Sequence, residues 1–153
     1  MSNKGGKSVN IKNRRSRYDY EFLEREIAGI SLLGSEVKSI IAGKASIGEA
    51  HCVIHDEECF IIGMYIAENK DSGRNGHDEP YRKRKLLLTK KQIRKWDKAL
   101  KLKGNTIVPI KVFTMQGKIK VELALSRGKK DYDKRNDIKD RDMQRDADVK
   151  FKG

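Results

Sequence analysis

"TIVPIKVFTMQGKIKVELAL", running from Thr106 to Leu125, is the stretch whose reading decides the fold. In its second half Ile119, Val121, Leu123 and Leu125 are apolar at every other position, the period of a strand with one buried face. "TIVPIKVF" reads as a second strand, and "TMQG" is the turn between them. Strands this close in sequence pair antiparallel. Pro109 has no amide to donate, so its strand is predicted to be an edge or to carry a bulge there.

Just upstream, "LLLTKKQIRKWDKALKLKGN" has the marks of a helix. Thr89 and Gln92 are spaced as a capping box, Ile93, Trp96 and Leu100 make one apolar face, and Gly104 closes the element. "AHCVIHDEECFIIGMYI" reads as two strands about an "HDEE" turn, with Cys52 and Ile54 on one face and His51, Val53 and His55 on the other. "GSEVKSIIAGK" fits a short helix with Ser35 as N-cap and Gly43 as stop. Tyr18, Tyr20 and Phe22 alternate as in a strand, and Ala67 to Pro80 is a long loop. Strands separated by short turns predict a mainly β, antiparallel fold with flanking α-helices, for which a small closed barrel is one solution.

The chain has 153 residues and a formal charge of +13, with 37% apolar and 37% charged residues. That suits one domain with part of the chain outside its core. The charge calls for a polyanionic partner, nucleic acid or an anionic membrane surface. No apolar run is long enough to cross a bilayer, and "MSNKGGKSVNIKNRRSR" lacks the apolar centre of a signal peptide. A cytoplasmic protein with reduced cysteines is expected. From Met1 to about Arg17 there are six cations and no acid, the composition of a basic arm. Between Arg82 and Lys103, eleven cations face only Asp97, which predicts an anion-binding surface and salt-dependent binding. Tyr18, Tyr20 and Tyr81 lie beside basic residues, where they can stack on unpaired bases or, as the competing reading, pack in the core.

Two enzyme readings have some support. Glu36-Val37-Lys38 has the acid-x-lysine spacing of some metal-dependent nucleases, with Asp19 or Glu24 as a second carboxylate, but it falls on a predicted helix. His51, Cys52, His55 and Cys59 have zinc-ligand chemistry, but strand alternation points Cys52 away from both histidines. Neither a phosphate loop nor a nucleophile triad is present, so no enzyme, metal or cofactor is expected.

Past the last strand, "RGKKDYDKRNDIKDRD" from Arg127 to Asp142 is almost all charge and cannot join a core. It reads as a disordered tail, or as a segment that folds on a partner.

Asn13, "AGI" at 28–30, "EVKS" at 36–39, "AGKA" at 42–45, "RKLLL" at 84–88, "GKK" at 128–130 and "DKR" at 133–135 occur in one order. In that order and spacing the chain resembles the SmpB family, the SsrA-binding (tmRNA-binding) proteins of bacteria, from about Asn13 to at least Arg141. The resemblance implies an oligonucleotide-binding-type antiparallel barrel over residues 13–126, a flexible basic arm over 1–12 and a basic tail over 127–153. It implies a role in trans-translation, the rescue of stalled ribosomes. The barrel would bind the tRNA-like domain of tmRNA and help deliver its alanine-charged form with elongation factor Tu. The tail would enter the decoding centre and the empty message channel against small-subunit ribosomal RNA. The generic alternative is a single-strand RNA binder or chaperone.

Carried over residue by residue, Asn13, Tyr20, Glu36, Lys38 and Leu87 would contribute to the tmRNA-binding region. Arg14, Arg15, Arg17, Arg84 and Lys85 would add phosphate contacts. Glu36 would alternatively hold a basic side chain in place, and Leu87 would alternatively be core. In the tail, Lys129, Lys130, Lys134 and Arg135 would pair with phosphates, and Tyr132 would stack on a decoding-centre base. Gly128 would give a hinge, and Asp133 would cap or orient a helix. Two departures stand out. Ile27 occupies a position where many members have a glutamate, whose part would fall to Glu24 or Glu26. "HDEP" at 77–80 carries one residue more than the usual motif. A monomer is expected.

Overall fold

The computed structural model describes residues 8–68 and 79–129. Residues 69–78 of the expected Ala67–Pro80 loop, and the tail beyond Lys129, including Lys130, Tyr132, Asp133, Lys134 and Arg135, lie outside the described residues.

The hairpin quoted above is the spine of the molecule. Strands β8 (Asn105–Met115) and β9 (Lys118–Gly128) pair antiparallel through the two-residue turn Gln116-Gly117. Both turn residues have positive φ, 51° and 77°, which matches the twist of the flanking strands. The register shifts between Pro109 and Lys111, so the predicted bulge is present. The extra residue resets the alternation. Ile107 and Val112 differ in parity, yet both are fully buried, opposite Leu125 and Val121.

Around this spine the chain supplies β1 (Asn10–Lys12), α1 (Ser16–Asp19), β2 (Tyr20–Ile30), α2 (Gly34–Ile41) and β3 (Ala45–Ser46). It continues with β4 (His51–His55), β5 (Glu58–Ile62), β6 (Tyr65–Ile66), β7 (Arg84–Leu87) and α3 (Lys90–Leu100). Strand neighbours run β8-β4-β5-β7-β2-β9, and β9 returns to β8. The ring therefore closes and leaves no long free edge. Every pairing in it is antiparallel. The expected fold, a mainly β antiparallel barrel with flanking helices, is what the structure shows.

Three local expectations are corrected. Asn10–Lys12 pair with Phe113, Val112 and Lys111, so the barrel begins inside the supposed arm. Tyr18 lies in α1, and strand β2 starts at Tyr20. The N-cap of α2 is Leu33, not Ser35. Leucine has no acceptor, so only one half of the cap forms, with Leu33 N–H donating to Glu36 Oε1 at 2.8 Å. At α3 the predicted Thr89/Gln92 box is complete. Ile93 and Trp96 are buried, and Leu100 packs against the core.

The core joins Ile61, Leu86, Ile107, Val112, Val121 and Leu123 inside the ring with Ile40 and Trp96 from the helices. Each such side chain contributes about 1.5–3 kcal/mol on burial. Among the described residues no helix is long and apolar enough to cross a membrane.

Candidate nucleic-acid interface

Asn13 sits where β1 meets the bulge. Its side-chain amide donates to the carbonyls of Pro109 (3.1 Å) and Ile47 (3.3 Å), and its backbone amide donates to Ile110 at 2.8 Å. It is nearly buried, so it ties the bulge rather than presenting itself to a ligand. Beside it opens a cleft of about 420 Å³, lined by Asn13, Arg15, Ser16, Asp19, Tyr20, His51 and Thr106, among others. Tyr20 is half-buried here, and Arg14, Arg15 and Arg17 are exposed. The root of the tail adjoins the same region. Gly128 pairs with Tyr20, Lys129 N–H donates to Asp19 O at 3.0 Å, and Lys129 Nζ donates to Arg17 O at 2.7 Å. Asp19 and Tyr20 line the cleft, so the tail leaves the barrel beside it. Gly128 ends a regular strand, and its hinge role has no positive φ behind it.

Glu36 and Arg84 are both fully buried. Arg84 Nε donates to Glu36 Oε2 at 2.8 Å, Nη1 to Met64 O at 2.7 Å and Nη2 to Pro80 O at 3.2 Å. Arg82, partly exposed, donates to Glu36 Oε1 at 2.6 Å. Burial opposes the Glu36 carboxylate, but hydrogen bonds from Arg82, the Leu33 amide and Arg84 outweigh it. They hold the carboxyl below its ordinary value. Burial also lowers the Arg84 guanidinium, against the pull of Glu36. Arg84 has its donors engaged inside the protein, so the expected phosphate contact from it is corrected to a positioning part. The Glu36 alternative, a carboxylate that holds basic side chains, fits the geometry. The nuclease reading loses its carboxylate to two arginines. Lys38 is exposed on α2.

Lys85 and Leu87 point outward from β7, and Leu87 is 54% exposed, so it is not core. Leu87 covers Gly29, where an added Cβ would meet its Cδ1 at 3.3 Å. Ile27 lies on the same outer side of β2, opposite Glu122 of β9. Glu24 and Glu26 do not take over its position. Glu24 accepts from Trp96 Nε1 at 2.8 Å and Glu26 accepts from Gln92 at 2.7 Å, so both face α3. The Trp96 bond first, then Lys95, holds the Glu24 carboxyl below its usual range, against burial.

The cationic run between Arg82 and Lys103 is less free than its composition suggests. Arg82 and Arg84 pair with Glu36, Lys85 with Glu58, Arg94 with Glu57 and Lys95 with Glu24. Those acids come from distant segments, which a count along the run cannot see. Tyr81 is 62% exposed, and its ring centroid lies 5.4 Å from that of Tyr65. Cys52 and Cys59 are buried while His51 and His55 are exposed, so the four zinc-type ligands do not converge.

A sequence model of the SmpB protein family matches residues 10–153. The SsrA-binding protein of Parabacteroides distasonis is 45% identical over 153 residues, covering 99% of each chain. That of Sulfurihydrogenibium sp. is 46% identical over 141 residues, covering 92% of each. A solved chain described as "tmRNA-SmpB: a journey to the center of the bacterial ribosome" is 42% identical and superposes with a TM-score of 0.65. The likeness covers 80% of this chain and 85% of that one. Family, curated relatives and fold agree over nearly the whole length, and this chain belongs to the SmpB family of SsrA-binding proteins.

Proposed function

We propose that this chain is an RNA-binding adaptor of trans-translation, acting in the cytoplasm without catalysing a reaction. Its barrel takes the tRNA-like domain of tmRNA, and its tail reaches the decoding centre and message channel of a stalled ribosome. The observation that carries this reading is 45% identity to an SsrA-binding protein over 99% of both chains. The geometry supports a division of labour. Arg14, Arg15, Arg17, Tyr20, Lys38, Lys85 and Leu87 offer accessible RNA contacts. Asn13, Glu36 and Arg84 shape the surface from beneath it. Gly128 and Lys129 root the tail beside the cleft, so RNA held there would lie close to the point where the tail departs.

The tail residues Lys130, Tyr132, Asp133, Lys134 and Arg135 act on small-subunit ribosomal RNA in this reading. Elongation factor Tu accompanies the alanine-charged tmRNA. Removing residues 132–153 tests the division. Binding of the tRNA-like domain should stay within about twofold, while peptide tagging on stalled ribosomes is abolished. Equal loss of both would refute it.

A further inference from the structure

On β7 and just before it, Arg82, Arg84 and Lys85 have acid partners, whereas along α3 and its C-cap Lys91, Lys98 and Lys101 have none among the described residues. Lys91, Arg94, Lys98 and Lys101 recur at i, i+3, i+7 and i+10 along α3 and its C-cap. At 3.6 residues per turn they form one stripe about 15 Å long, opposite the buried Ile93, Trp96 and Leu100. All four are exposed. Of these only Arg94 has an acid partner, Glu57, and that pair is itself exposed. No residue of α3 lines the cleft beside Asn13.

We propose that the outer face of α3 is a second RNA-binding surface, gripping the backbone of a ribosomal RNA double helix. Naming the ribosome rests on the adaptor reading above; the surface itself does not. Successive stripe residues rise about 4.5–6 Å along the axis, at 1.5 Å per residue, so their charges lie in a row. A row of charge suits a row of phosphates, which any RNA helix presents. Single-strand binders add aromatic platforms for unpaired bases. The one aromatic residue of α3 is Trp96, which is 1% exposed and donates to Glu24. Lacking a platform, the helix reads backbone rather than bases. Glu24, Glu26 and Glu57 bond Trp96, Lys95, Gln92 and Arg94, which fixes α3 on the barrel and holds the stripe outward.

The test compares Lys91→Ala/Lys98→Ala/Lys101→Ala with Lys12→Ala/Lys44→Ala/Lys118→Ala. The second variant removes the same charge from other exposed positions. Full-length protein is titrated across a salt series with a plain 20-base-pair RNA duplex, small ribosomal subunits and a tmRNA tRNA-like domain. For the stripe variant, the slope of log K against log salt should shrink by about 2–3 on duplex, and affinity at 0.1 M salt should fall about tenfold or more. Subunit binding should fall in parallel, while tRNA-like domain binding stays within about twofold. Equal losses in both variants would mean net charge alone acts, which overturns the proposal. A loss confined to the tRNA-like domain would put α3 on the tmRNA face and overturn it as well. The wild-type preference for the tRNA-like domain over unstructured RNA is read separately, so failure of the adaptor reading is distinguishable. Unchanged circular dichroism in both variants excludes misfolding as the cause.

Discussion

Removing the Glu36 carboxylate should damage this protein far more than an eight-residue helix suggests. Glu36→Ala takes from the fully buried Arg84 its one acid partner among the described residues, leaving a guanidinium bonded to the carbonyls of Met64 and Pro80. It also frees the Leu33 amide at the start of α2. Breaking a buried pair by deleting one member costs about 3–5 kcal/mol, because the other charge stays behind without compensation. Against a total stability of about 5–15 kcal/mol, that is a large share. Urea unfolding followed by fluorescence of Trp96 reads it directly. With a slope near 2 kcal/mol/M, the midpoint should drop by about 2 M. Glu36→Gln, which keeps an acceptor but not the charge, should lose about half as much. Arg82→Ala should cost about 1 kcal/mol, since that arginine is one-third exposed. In Glu36→Leu/Arg84→Met both charges are gone, and stability should recover relative to Glu36→Ala. A loss below about 1 kcal/mol in Glu36→Ala, or one no larger than in Arg82→Ala, would refute the reasoning.

The same site should set part of the acid limb of stability. Folding holds the Glu36 carboxyl below its ordinary 4.5, so its contribution is complete above that pH and is lost as pH falls through the lower, folded value. Glu36→Gln lacks that contribution, and its urea midpoint should change less than the wild type's between about pH 5 and pH 3. Asn13→Ala removes the side-chain donor to the Pro109 and Ile47 carbonyls, of which Ile47 O keeps the Ala50 amide at 3.1 Å, and thermal unfolding should show a loss of about 1–3 kcal/mol. Any fall in its RNA affinity must then be measured well below the new melting temperature. Trp96→Phe removes the bond to Glu24 while keeping most of the buried surface, and should cost about 1–3 kcal/mol by the same assay.

The fold was legible where a local rule had no competitor. Alternation from Ile119 to Leu125 marked β9, the missing amide of Pro109 marked the bulge, and Thr89 with Gln92 marked the start of α3. Boundaries were lost where tertiary pairing decides. Nothing local says that Asn10–Lys12 find β8, or that a leucine stands at an N-cap because Glu36 serves its amide. In the candidate site, family resemblance supplied the residues proposed for it, but the division between surface and support was not legible. Arg84 and Lys85 are adjacent and both basic; strand alternation turns one into the interior and the other to solvent. That alternation was readable in "RKLLL", with Arg84, Leu86 and Leu88 sharing one parity. The partner that makes a buried arginine tolerable, Glu36, lies 48 residues away in sequence. The pairing of the cationic run with distant acids was hidden for the same reason.

The most direct test of the adaptor reading is competition between a tmRNA tRNA-like domain and an unstructured RNA of equal length for the full chain, repeated from low to high salt. If the barrel reads shape, the preference for the folded RNA persists as salt rises and the phosphate contribution fades. Equal binding to both, declining with one common slope, would contradict it and leave a generic RNA binder in its place.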